Sequence, residues 1–252
     1  MSGHSKWSSI KHKKGAADAK RGKIFSRLSK ELTVVAKQGG GDPTMNPRLR
    51  TVIANAKAAN MPADNIDRAI KKGTGELPGV VYEELSYEGY APGGVAILIE
   101  TLTDNKNRTT AEVRTIFNRN NGNLAANGSV SWQFHRLGQF TFPAGSIEED
   151  KLLEIALEAG ADDLENTGDS MVVSTSLDAF SAVAEAFEKA ELSPETQEIA
   201  WVPENTVEIT DEKTARQVLR LLELLEDHDD VQNVSSNLDI PDELMAQISE
   251  EE

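Results

Sequence analysis

Apolar residues in the first third of the chain recur at three- and four-residue spacing, the period of a helix. Ile24, Phe25, Leu28, Leu32 and Val35 fall within one arc of a helical wheel, which predicts a helix over 21–37 that ends at Gly39, Gly40 and Gly41. Asn46 followed by Pro47 is a helix start, a capping side chain and then a proline that needs no N–H in the first turn. That second helix runs to about Asn60, and a third follows Pro62 and stops at Gly73. Residues 73–79, rich in Gly and Pro, are predicted to be a linker.

Beyond the linker the pattern becomes strand-like. Strands are expected over 82–90 and 94–101, joined by a turn at Ala91, Pro92, Gly93 and Gly94. A helix over 108–120 and a strand over 129–134 follow. Strands over 139–142, 162–166, 171–174 and 198–202, with helices over 149–159 and 177–190, complete a β-α-β-β-α-β order, the ferredoxin-like plan. Strand, helix and strand over 206–209, 212–226 and 231–235 come last.

This order predicts an α+β fold in three lobes: an N-terminal helical domain and two ferredoxin-like α/β lobes, one inserted in the other. The helical domain covers 1–75, with residues 1–20 as a mobile arm too poor in apolar residues to fold alone. The pieces 80–135 and 205–237 make a discontinuous domain, and 136–204 is inserted into it. Residues 238–252 are expected to be an acidic tail, with a short helix at most.

Charge changes the picture more than composition does. The net charge is −16, but residues 1–75 hold 16 Lys+Arg against 5 Asp+Glu, whereas 76–252 hold 10 against 37. The first part is therefore +11 and the rest −27. Such asymmetry points to a polyanionic partner for the basic part, nucleic acid above all. The absence of cysteine excludes disulfides, thiol catalysis and Cys-ligated metal. The start lacks the apolar run of a signal peptide, and no apolar stretch approaches the ~20 residues of a membrane span. A cytoplasmic location with no membrane partner is expected.

Candidate contacts follow from the charge. Lys20, Lys23, Arg27 and Lys30 share an arc of the first helix separate from its apolar arc, placed to meet phosphates or simply to solvate the helix. Lys6, Lys11, Lys13 and Lys14 in the arm, with Arg48 and Arg50, add to the same lobe. Trp7 among the arm cations is placed either to stack on a base or to anchor the arm. Lys106 and Arg108, in the loop Asp104–Arg108 before a helix, either meet nucleic acid or belong to an ordinary capped connection. Glu223, Glu226, Asp227, Asp229 and Asp230 are expected to form a solvated acidic face rather than a cation site. No P-loop, nucleophile elbow or paired metal-ligand spacing occurs. No enzyme activity and no cofactor are expected.

Several ordered motifs carry a resemblance: Gly3–Trp7, Ala19–Phe25, Gly39–Pro43, Asn46–Arg50, Asn60–Met61, Arg68–Ile70, Tyr87–Tyr90, Pro92–Gly94, Asp104–Thr109 and Ala111–Arg114. Together they resemble the YebC/PmpR family, which also includes mitochondrial translational activators of cytochrome oxidase. The resemblance implies a three-lobed, non-catalytic regulator of gene expression. One implied form is a translation factor that engages ribosomal RNA and basic ribosomal proteins and eases synthesis of difficult sequences. The alternative is a transcriptional regulator at promoter DNA. No element has the pattern of a sequence-specific helix-turn-helix, so the ribosome form is the first expectation.

Overall fold

The computed structural model describes residues 17–168 and 170–250, with side chains from Arg21 to Ile248 apart from residue 169. Three helices come first: α1 (Ala17–Gly39), α2 (Pro47–Ala58) and α3 (Ala63–Thr74). A hairpin of β1 (Glu83–Tyr90) and β2 (Ala96–Thr103) precedes α4 (Lys106–Arg119) and the short β3 (Asn123–Leu124). Then come β4 (Phe134–Pro143), α5 (Glu149–Glu158), β5 (Asp163–Asn166), β6 (Ser170–Thr175), α6 (Phe180–Lys189) and β7 (Thr196–Pro203). The chain continues through β8 (Val207–Glu208), α7 (Glu212–Glu226), β9 (Val231–Ser236), β10 (Leu238–Asp239) and α8 (Asp242–Glu250). The fold is α+β, a helical region followed by two β-sheet lobes. These residues form two compact units, one of 17–81 with 136–200 and one of 82–135 with 201–250.

In the first unit, Leu32, Val35, Leu49, Val52, Ala56, Ile66 and Ala69 bury the facing stripes of the three helices. Phe25 and Leu28 pack on this core, but Ile24 is exposed, so the apolar arc of α1 stops short of its expected start. Asn46 is buried and joins two helix ends. Its Nδ2 donates to Val35 O (3.1 Å) and Gly40 O (2.9 Å), and its Oδ1 accepts from Leu49 N–H (3.1 Å). That satisfies orphan groups at both ends of the α1–α2 corner.

The third helix does not stop at Gly73. It continues one residue and closes at Gly75 in the left-handed conformation (φ +84). Gly73 has another reason to be there: a Cβ would lie 2.3 Å from Thr33 O, so only glycine lets α3 approach α1 this closely.

The inserted sheet has the order β5-β6-β4-β7, the ferredoxin-like arrangement expected from the element order. Its core stacks Phe140 on Phe180 (4.8 Å) and sets Phe187 edge-on to Phe140 (5.1 Å) and Phe142 (5.2 Å). Asn55 on α2 exchanges two hydrogen bonds with the backbone of Gln197 on β7, at 2.8 and 3.1 Å. The helical lobe is therefore bonded to an edge strand of this sheet.

In the second unit the sheet order is β3-β1-β2-β9. Central β2 is buried on both faces, as a continuous apolar run should be. Val95, Ile97 and Ile99 face α4 and α7, while Ala96 and Leu98 face Val130, Phe134 and Trp201. Three sequence expectations need correction here. Residues 129–133 are not a strand; they form a turn that ends in a 3-10 segment over Ser131–Gln133, because their N–H groups serve a buried carboxylate described below. Residues 206–209 do not join the main sheet; β8 pairs in parallel with β10 instead. Residues 238–250 contain the short helix allowed for the acidic tail, α8, but this segment does not stand apart from the fold. Leu238, Ile240, Met245 and Ile248 are buried in the core of this unit, and their apolar period outweighs the surrounding acids.

Candidate nucleic-acid interface

The expected contacts Lys6, Trp7, Lys11, Lys13 and Lys14 lie outside the described residues, as does the side chain of Lys20. Lys23, Arg27 and Lys30 follow one another at helical spacing along α1 and are half-buried, so their stems lie against protein instead of standing free in water. Arg48 and Arg50 project from the first turn of α2 and are exposed. Arg48 Nη1 donates to Gln38 Oε1 (3.1 Å) and Arg50 Nε to Pro43 O (3.3 Å). Both guanidinium groups thus flank the corner that Asn46 holds, at the surface of the lobe. On α3, Lys71 bonds Asp67 (2.7 Å), and this hydrogen bond, with the attraction of the carboxylate, raises its pKa. Arg68 and Lys72 are exposed beside it. The lobe thus carries cations on all three helices around a small apolar core.

Lys106 and Arg108 belong to the other unit. Lys106 is exposed in the first turn of α4. Arg108 is committed: its Nη2 donates to Asp230 Oδ2 (2.7 Å) and to Asp104 Oδ1 (2.9 Å). These hydrogen bonds hold its pKa above the usual value. Asn105 caps α4 through Arg108 N–H (3.1 Å), so the motif Asp104–Thr109 builds a capped connection and a grip on Asp230. Asp230 also takes the hydroxyls of Thr109 (2.8 Å) and Thr103 (3.1 Å) and is 3% exposed. It is not part of a solvated acidic face, because three side-chain donors replace its water. His228 alongside accepts Asp230 N–H on Nδ1 (3.1 Å), which leaves Nε2 to donate to Glu112 (2.9 Å).

A second buried carboxylate, Glu88 on β1, accepts backbone N–H from Gly128 (2.7 Å), Val130 (2.6 Å) and Ser131 (3.0 Å). Burial pushes its pKa up, but these N–H bonds outweigh that and hold it below the usual carboxylate range. Among the described residues no group of three His, Cys, Asp or Glu could hold a metal ion, and no helix is long and apolar enough to cross a membrane.

Comparison with known proteins decides the family. The model of the TACO1/YebC protein N-terminal domain matches residues 5–76, and that of the TACO1/YebC second and third domain matches 82–238. The chain belongs to the TACO1/YebC family. A relative from Syntrophobacter fumaroxidans is 56% identical over 249 residues, 99% of this chain and all of that protein. One from Desulfotalea psychrophila is 57% identical over 250 residues, again 99% of this chain and all of its own length. One from Treponema pallidum is 55% identical over 245 residues, 97% of this chain and all of that protein. All three are named "probable transcriptional regulatory protein", a name for regulation and not for catalysis. The crystal structure of a conserved hypothetical protein from Aquifex aeolicus matches with TM-score 0.85 at 49% identity, over 90% of this chain and 93% of that one.

Within this TACO1/YebC fold the sequence pattern missed the roles of Glu88 and Asp230. Asp230 is 122 positions from Arg108 and Gly128 is 40 from Glu88, so no local spacing links the partners. The only local signal was the density of Asn, Arg and Thr in 104–109, which marked the place but not its use.

Proposed function

We propose that this chain is a cytoplasmic, non-enzymatic regulator of gene expression that binds nucleic acid through its N-terminal lobe. The observation that carries this reading is the charge partition, +11 over residues 1–75 against −27 over the rest. Each phosphate that such a lobe neutralises releases condensed counterions, which favours binding at physiological salt. The exposed Arg48 and Arg50 and the cations along α1 are the contacts assigned to it, with Lys6, Trp7, Lys11, Lys13, Lys14 and Lys20 in the preceding segment. The relatives are named as probable transcriptional regulatory proteins, which supports the transcriptional form; its target would be promoter DNA. That form therefore stands first, ahead of the ribosome form that the sequence alone favoured.

A second reading, ribosomal RNA and basic ribosomal proteins as partners, is favoured by one observation. The −27 part of the chain would be repelled by a naked duplex but attracted by basic protein surfaces. The deciding experiment selects duplexes from a random-sequence pool and then competes the winners against scrambled duplex and purified ribosomes at one salt concentration. The transcriptional form requires an enriched sequence bound about 10³-fold better than random duplex. Recovery of no preferred sequence, with ribosomes displacing every duplex, would overturn it in favour of the second reading.

A further inference from the structure

Residues 76–252 carry only ten Lys and Arg. Four of them, Arg119, Lys213, Arg216 and Arg220, line one open groove of about 640 Å³ between the end of α4 and the first half of α7. Lys213, Arg216 and Arg220 recur at three- and four-residue spacing, so they share one face of α7. Arg119 comes from the last turn of α4 opposite them.

Two carboxylates also line the groove, and both are engaged. Asp211 caps α7, accepting Thr214 N–H (2.8 Å) and its hydroxyl (2.6 Å). Glu212 pairs with Arg216 Nε (2.8 Å). Arg220 reaches Glu223 (2.8 Å) but stays exposed. Arg119 and Lys213 are exposed, and beside the Thr214 hydrogen bonds the charge of Lys213 helps hold Asp211 ionised. Asn121 and Gln217 add neutral amide groups.

We propose that this groove is a second phosphate-backbone site, a seat for the phosphodiester chain of a nucleic acid on the acidic part of the protein. The inference rests on the nucleic-acid reading above and extends it to a site far from the N-terminal lobe in sequence. Three of the four cations are arginines, whose planar fork matches the oxygens of a phosphate. The amides suit ribose hydroxyls and base edges better than a carboxylate-only partner. An open groove suits a polymer that passes through, where a small metabolite would need enclosure. The surrounding negative charge gives the site a purpose. Against a part of the protein whose net charge is −27, a phosphate chain finds four of its ten cations gathered in the groove, which favours one register.

The test uses the full-length protein and two labelled probes, a single-stranded RNA and a duplex DNA of the same sequence, with affinities followed over a salt series. Arg119→Glu with Lys213→Glu is compared with Arg48→Glu with Arg50→Glu. Two lost contacts should lower affinity roughly tenfold and flatten the log–log salt slope by about 1.4 for the single strand or about 1.8 for the duplex. The neutral pair, Arg119→Gln with Lys213→Gln, should lose less in the same direction, which guards against misfolding of the reversed pair. A larger loss on one probe identifies RNA or DNA as the occupant. Unchanged affinity and slope in both groove variants, with weakened binding in the Arg48/Arg50 variant, would overturn the groove and leave the N-terminal interface standing. A wild-type protein that binds neither probe would overturn both. Weakened groove variants beside an unaffected Arg48/Arg50 variant would support the groove and move the interface off the N-terminal lobe.

Discussion

Arg48 and Arg108 come from motifs that look alike, each an arginine just inside a helix that an asparagine caps. In the helical lobe, Arg48 is exposed and donates to a neutral side-chain oxygen of Gln38. In the sheet lobe, Arg108 faces a carboxylate that is 3% exposed and is bonded to it at 2.7 Å. The helical lobe holds itself together with apolar side chains and the amide of Asn46, leaving Arg48 and Arg50 at the surface. The sheet lobe turns part of its charge inward, where Asp230 and Glu88 organise backbone and hydroxyl donors. A charged motif in sequence therefore does not say whether its charge faces a partner or the protein's own interior. The sign of the surface follows only once the inward charges are subtracted.

The contrast is broken most directly at Asp230. Asp230→Ala removes the one carboxylate that Arg108, Thr103 and Thr109 share, leaving Arg108 with Asp104 and Thr109 with Asn105 O, and loss of this charge-assisted acceptor costs on the order of 3 kcal/mol. The urea midpoint of the transition should fall accordingly. An unchanged midpoint would mean that Asp230 is no keystone and that the sheet lobe resembles the helical one.

Glu88→Gln should cost less, about 1–3 kcal/mol, because one oxygen remains to accept. It also carries a pH signature. The folded pKa of Glu88 is lowered, so its contribution is present at neutral pH and is lost as pH falls below the ordinary value of 4.5 toward the depressed one. Thermal melts from neutral to acidic pH should show wild type losing its advantage over the Gln variant in that acid window. A constant gap at all pH values would contradict the ionised, backbone-bound carboxylate.

The smallest effects separate the two arginine classes. Arg48→Glu with Arg50→Glu should leave the melting temperature within about a degree or two, as exposed substitutions do, and lower nucleic-acid affinity. Arg108→Gln should do the reverse, with a lower melting temperature and an unchanged salt slope, because Arg108 is held by Asp230 and Asp104. A salt slope that changes for Arg108→Gln would place that residue at the interface after all.

Helix positions, the β-α-β-β-α-β order of 134–203 and the charge break near residue 75 were all legible in the sequence. Each is local: helical period, strand pattern, capping residues and counts of charge depend on neighbours a few positions away. Gly73 inside a helix was not legible, because its reason is the carbonyl of Thr33 across a helix pair. Nor was the turn over 128–133, whose N–H groups answer to Glu88, nor the burial of Met245 and Ile248 in a segment whose composition is acidic. The arm and lobe cations were named from sequence, yet Arg108 could be assigned only once Asp230 stood beside it. What the sequence by itself determined is the elements, their order and the electrostatic asymmetry, because these sum over short stretches of chain. What only the tertiary structure decided is which charges are turned inward, because that depends on partners 40 positions away for Glu88 and 122 away for Asp230.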